Sequence, residues 1–231
     1  MRPVNRGEIP KKEDGTKKVY TSYSQAKDDL RDRLGSFCSY CEMNIENQPD
    51  IEHVSPKSKN PDLEKEWSNF LLACKPCNII KDNNNDTRDG YVFPDTDNTS
   101  FLYEYSINGV KVKDNLDEDI KKLATATLDL VQLDRKTDTS NRIDDRARAR
   151  NNSWDKAQMA LGDFLELLST TQNKDRLVNL TANTCNGFFS MWIQIFKDYP
   201  EVKKAILKNV AGSDLSCYDS NIIPIEQISR K

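Results

Sequence analysis

Two Cys-x-x-Cys pairs, Cys38/Cys41 and Cys74/Cys77, restrict the fold of this chain more than any other feature. Each pair puts two thiolates on one tight turn, and two such turns complete a tetrahedral shell for Zn²⁺. The segment between them is thereby tied into one small metal-stapled unit. A disulfide framework is the other use of six cysteines, but it belongs to small secreted domains. Residues Met1 to Pro10 hold no apolar core of a secretory signal. No stretch approaches the roughly 18–20 apolar residues of a membrane span. The expected compartment is the cytoplasm, where thiols stay reduced and paired cysteines hold metal. Redox-active Cys-x-x-Cys sites are a further alternative, but two pairs flanking one hairpin fit structural zinc better. Cys185 and Cys217 have no partner pattern and read as plain buried or half-buried thiols.

Between the pairs the residue pattern changes to that of strands. Residues 51–55 form a short strand candidate ended by Pro56, and 69–73 a second that runs into Cys74. Pro76 suits the first turn of a helix carrying Cys77, Asn78 and Lys81. The loop joining the strands is long and rich in Lys and Pro. Upstream, residues 24–34 read as a helix with Ala26, Leu30 and Leu34 on one face and Gly35 as its stop. Downstream, Phe101, Tyr103, Tyr105 and Ile107 alternate toward Asn108-Gly109, then Val110 and Val112, a hairpin signal. From Asp114 the pattern is helical. Trp154, Leu161, Leu165 and Leu168 mark one face, residues 188–196 crowd aromatics into another helix, and a last helix opens at Pro200, buries Val202, Ile206 and Val210, and ends at Gly212. The expected fold class is α+β: a zinc-stapled β-hairpin and helix, then a mainly α-helical half. Residues 1–113 are assigned to the metal-dependent part with its N-terminal arm and accessory hairpin. Residues 114–231 form a helical part without recognisable chemistry, expected to dock a partner.

Charge limits the possible functions. The 34 basic and 37 acidic residues give a net charge of −3, the opposite of the basic footprint that tight, autonomous nucleic-acid binding needs. Basic charge is local, at Lys11, Lys12, Lys17 and Lys18 and at Arg142, Arg146, Arg148 and Arg150. Each run singly reads as a solvated face, and a partner is expected to supply further basic surface.

The chain has one histidine, His53, in the string Ile51-Glu-His-Val-Ser-Pro-Lys57. Together with Phe37-Cys-Ser-Tyr-Cys-Glu42, Trp67-Ser-Asn-Phe-Leu-Leu-Ala-Cys74 and the following Lys-Pro-Cys77-Asn78, it resembles HNH endonucleases of the ββα-metal type. More narrowly, these strings and Arg2-Pro-Val-Asn-Arg6 resemble the HNH effectors of retron-associated and Septu-type anti-phage defence systems, which work beside an SMC-like ATPase. The resemblance covers roughly residues 35–82. It implies hydrolysis of phosphodiester bonds, with DNA favoured and RNA, tRNA included, left open. It implies His53 as general base, since a neutral imidazole accepts a proton near pH 7. It implies Glu52 and Asn78 as ligands of a catalytic Mg²⁺ or Mn²⁺, and Asn69 as the residue that orients the loop or the base. The four cysteines would hold a closed structural zinc, and Lys57 and Lys81 would contact backbone phosphate. Asn78 stands where His is frequent in the family, and Glu52 where Asp is frequent. The competing function is a non-catalytic zinc module that binds nucleic acid or scaffolds a partner; the Glu52-His53 pair argues against it.

Overall fold

A computed structural model describes residues 1–136 and 145–229. Helix α1 (Lys27–Leu34) follows a tight 3₁₀ turn over residues 23–26, capped reciprocally by Ser22 and Gln25. The expected helix is present, with its first turn wound tighter. Leu30 and Leu34 are fully buried, and Gly35 ends the helix at φ +72°.

Strands β1 (Asp50–His53) and β2 (Phe70–Ala73) pair antiparallel, with His53 opposite Phe70 and Glu52 opposite Leu71. Every residue of β2 is buried, because α1 packs against it and helix α2 (Lys75–Lys81) packs against β1. The α2 N-terminus is capped by Cys74, whose Sγ accepts from the Cys77 amide at 3.4 Å. Pro76 lies in the first turn, where no intrahelical donor is lost. Sequence and structure thus agree on hairpin then helix.

The second hairpin joins β3 (Tyr103–Ser106) to β4 (Gly109–Val112). Ser106 pairs with Gly109, so Ile107 and Asn108 form the loop and Gly109 opens β4 at φ +129°. The turn lies one residue earlier than the Asn-Gly signal suggests.

Among the described residues, the remaining helices are α3 (Glu118–Val131), α4 (Asp145–Leu168), α5 (Lys174–Asn183), α6 (Phe189–Ile195) and α7 (Pro200–Lys208). On α4 the inward seam is Trp154, Ala157, Leu161, Phe164 and Leu168, an alternating three- and four-residue spacing. Leu165 falls one position off that seam and is 46% exposed. Phe164 takes the expected place of Leu165, with its ring against Phe196 and Tyr199. The aromatic run at 188–196 is core: Phe188, Phe189, Met191, Trp192 and Phe196 are all buried. One apolar cluster contains Leu34, Phe70 and Leu72 from the first half and Val131, Trp192 and Ile206 from the second. Among the described residues no helix is long and apolar enough to cross a membrane.

Candidate active site and cysteine cluster

The hairpin and α2 bring the four cysteines together. All four are buried, and their Sγ atoms lie within 4.8 Å of one another, Cys41 to Cys74 at 3.6 Å. Tetrahedral Zn²⁺ with bonds of ~2.3 Å needs sulfurs about 3.8 Å apart. The cluster therefore fits a closed zinc site. Burial raises the Cys38 thiol, but hydrogen bonds from the other three cysteines outweigh it and hold Cys38 well below the usual thiol range. The same contacts push Cys41 well above it. Without a cation the cluster tolerates little negative charge; a dication is what lets four thiolates coexist. Arg146 on α4 reaches Cys77 Sγ at 3.1 Å and also donates to the carbonyls of Val131 and Gln132. Arg150, one turn on, donates to the carbonyls of Leu133 and Arg135.

The second arginine run is thus not a solvated face. Arg146 and Arg150 are buried, Arg148 is exposed and paired with Asp145, and Arg142 lies outside the described residues. The first run differs, with Lys11, Lys12 and Lys17 exposed. Lys18 pairs with Asp29 at 2.6 Å.

Alternation along β1 sends its neighbouring side chains to opposite faces. His53 shares a face with Phe70, its cross-strand partner, and its ring meets the rings of Phe70 and Tyr23 edge-on at centroid distances of 5.3 and 5.0 Å. Its Nε2 lies 2.9 Å from the Glu64 carbonyl oxygen. A carbonyl only accepts, so Nε2 carries the proton and Nδ1 the lone pair. Burial lowers the His53 pKa below that of a free histidine, the Glu64 carbonyl opposes this, and the charge on Lys57 adds to it. Lys57 is exposed, with its ammonium 4.1 Å above the Tyr23 ring.

Asn69 ties down the long connection between the strands. Its Oδ1 accepts from the Ser55 amide at 2.8 Å, and its Nδ2 donates to the carbonyls of Ser55 and Leu63. These three bonds hold the connection over His53, since Glu64 is the next residue after Leu63.

The other face of β1 carries Asp50 and Glu52 under the Asn78–Lys81 edge of α2. Asn78 Nδ2 donates to Asp50 Oδ2 at 3.3 Å. The Lys81 ammonium sits 2.7 Å from Glu52 Oε1 and 3.0 Å from the His53 carbonyl oxygen. Tyr40 donates to the same Glu52 oxygen at 3.3 Å. Burial lifts the Glu52 carboxyl to about 7, against the opposing pull of Lys81. Lys81 is completely buried. Instead of presenting a cation to a phosphate, it neutralises a carboxylate inside the fold.

Glu52 and Asn78 are oxygen donors of the kind a hard dication prefers, and β1 and α2 bring them to one side of the hairpin. In this structure Glu52 Oε1 is taken by Lys81 and Tyr40 and Asn78 bonds Asp50, so the two form no open dication site, and Lys81 is the cation that meets Glu52. Asp50 was legible as a neighbour from strand alternation with Glu52. Tyr23, Glu64 and Arg146 come from distant segments and carry no local motif.

Residues 38–84 match the family model of HNH endonucleases. The chain carries an HNH domain. The matched segment contains all four cysteines, Glu52, His53, Asn69 and Asn78. Over 104 residues the chain is 30% identical to the Septu protein PtuB of Bacillus thuringiensis, covering 42% of this chain and 38% of that protein. The chain thus spans well under half the length of that relative. The match ends before β3, so the whole of the helical half lies outside it.

Proposed function

We propose that the protein is a metal-dependent HNH endonuclease that hydrolyses phosphodiester bonds of nucleic acid. The observation that carries this reading is the Nε2 contact of His53 with the Glu64 carbonyl, which leaves Nδ1 as a proton acceptor. In this reading His53 takes the proton from the attacking water, and Tyr23 and Phe70 hold the ring in place. Glu52 and Asn78 would hold a Mg²⁺ or Mn²⁺ ion if Glu52 turned from the face of β1 opposite the His53 ring, and the ion would then supply polarisation of the scissile phosphate. Binding there requires Lys81 to give up its hold on Glu52. Asn69 positions the loop that orients His53 and does not touch the reacting atoms. Lys57, exposed beside the His53 ring, offers an ammonium to the incoming phosphate. The cysteine cluster holds Zn²⁺ and serves the fold.

Double-stranded DNA is the favoured substrate, with RNA, tRNA included, as the alternative. The similarity to the Septu protein supports a role in defence; from the sequence resemblance the proposal extends to an effector that works in the cytoplasm beside an SMC-like ATPase, with the helical half as its docking part. Incubation of the protein, alone and with an SMC-like ATPase as the proposed partner, with end-labelled DNA and RNA tests the reading. Cleavage that requires Mg²⁺ or Mn²⁺ is expected. Cleavage of neither polymer, with the partner bound and either ion present, would overturn it.

A further inference from the structure

A cavity of about 310 Å³, which His53 does not line, opens between α6, α7 and residues 222–224. Its walls are largely apolar, with Ile193, Ile222 and Ile223, yet Lys113, Lys197 and Lys203 all line it. Lys203 is 4% exposed, and its ammonium has one hydrogen bond, to the Ile222 carbonyl at 3.3 Å. Lys113 donates only to the Ser100 carbonyl, at 3.5 Å. None of the three lysines makes an ion pair. No acidic side chain lines the cavity; Asp198, Glu201 and Asp219 act on Lys203 from further off, and Glu104 on Lys113. Burying an ammonium without a counter-charge is costly, and burial draws the pKa of both Lys113 and Lys203 down. Three lysines around an apolar chamber complement a negatively charged head on an apolar body. The volume lies at the low end of small-molecule sites.

We propose that this cavity binds a small amphipathic organic anion, with its acidic head on Lys113, Lys197 and Lys203 and its body against the isoleucines. Ser190, which also lines the cavity, donates its amide and hydroxyl to the Glu42 carboxylate beside Cys41.

Titration of the full chain with 8-anilinonaphthalene-1-sulfonate, an aromatic anion that fluoresces on leaving water, tests the proposal. Saturable one-site binding is expected, displaced by decanoate if the head is a carboxylate and by 1-naphthyl phosphate if it is a phosphomonoester. Lys203→Met should weaken binding about tenfold or more, the loss of a charged hydrogen bond. Lys197→Glu changes an exposed residue and should weaken it similarly without unfolding the protein. Lys156→Met, in a different cavity beside Asn44 and Trp192, should leave it unchanged. Absence of saturable binding, affinities within twofold of wild type for both Lys197→Glu and Lys203→Met, or an equal loss in Lys156→Met would overturn the proposal.

Discussion

A single carbonyl oxygen decides how His53 can act. The Glu64 contact fixes the proton on Nε2, and burial keeps the ring neutral to lower pH than a free histidine. A base works when unprotonated, so the limb of the pH profile that belongs to His53 should lie below the range of a free histidine, with activity rising as pH rises through it. Lys57→Ala removes a charge that lowers this pKa, so the acidic limb of the kcat/KM profile should move upward. An unmoved limb would mean that another group titrates. The importance of His53 was legible from its being the chain's one histidine, placed next to Glu52 between two cysteine pairs. Its tautomer was not, because Glu64 and Tyr23 reach it through the fold and not through a motif. Lys81 went the other way. It lies with Asn78 on the side of α2 that meets β1, and its place in the sequence is silent on whether that side meets solvent or β1.

Among the elements, the β1–β2 hairpin and α2 were readable because two short strand-like runs, the stop at Pro56 and the placement of Pro76 all agree over residues 51–81. The Glu52–Lys81 pair is the buried joint between them. Breaking such a pair from one side leaves an uncompensated charge and costs about 3–5 kcal/mol. Lys81→Met should lower the urea midpoint accordingly, and adding Glu52→Leu should restore most of the loss. If the double variant is as unstable as the single one, the pair is not what joins β1 to α2. Along α4, the helix was predictable but its rotation was not. Leu165 and Phe164 are adjacent apolar residues, and only packing against Phe196 and Tyr199 selects between them. Phe164→Ala should cost about 3–5 kcal/mol, whereas Leu165→Gln should stay within about 0.5 kcal/mol. Equal losses in thermal unfolding would mean that α4 is rotated from the orientation described.

In the whole molecule, the apolar cluster crosses the division the sequence suggests at residue 113, and Arg146 carries the contact to the cysteines themselves. Long-range contacts of this kind leave no periodic trace, which is why the helical half looks separate in the sequence. One cooperative unfolding transition is expected for both halves, with zinc lost in the same step. Arg146→Leu should speed zinc transfer to a chromogenic chelator several-fold while the protein stays folded, as loss of an outer hydrogen bond to a ligand does. Unchanged zinc transfer would show that α4 does not support the site. The central claim is that His53 is the base of a nuclease and not a packing residue of a zinc scaffold. Its most direct test is cleavage of labelled DNA and RNA by wild type and His53→Ala, matched for zinc content and circular dichroism, with the same divalent ion and partner. Loss of cleavage by at least a hundredfold in the folded, zinc-loaded variant is predicted. Cleavage by the variant at the wild-type rate would contradict it.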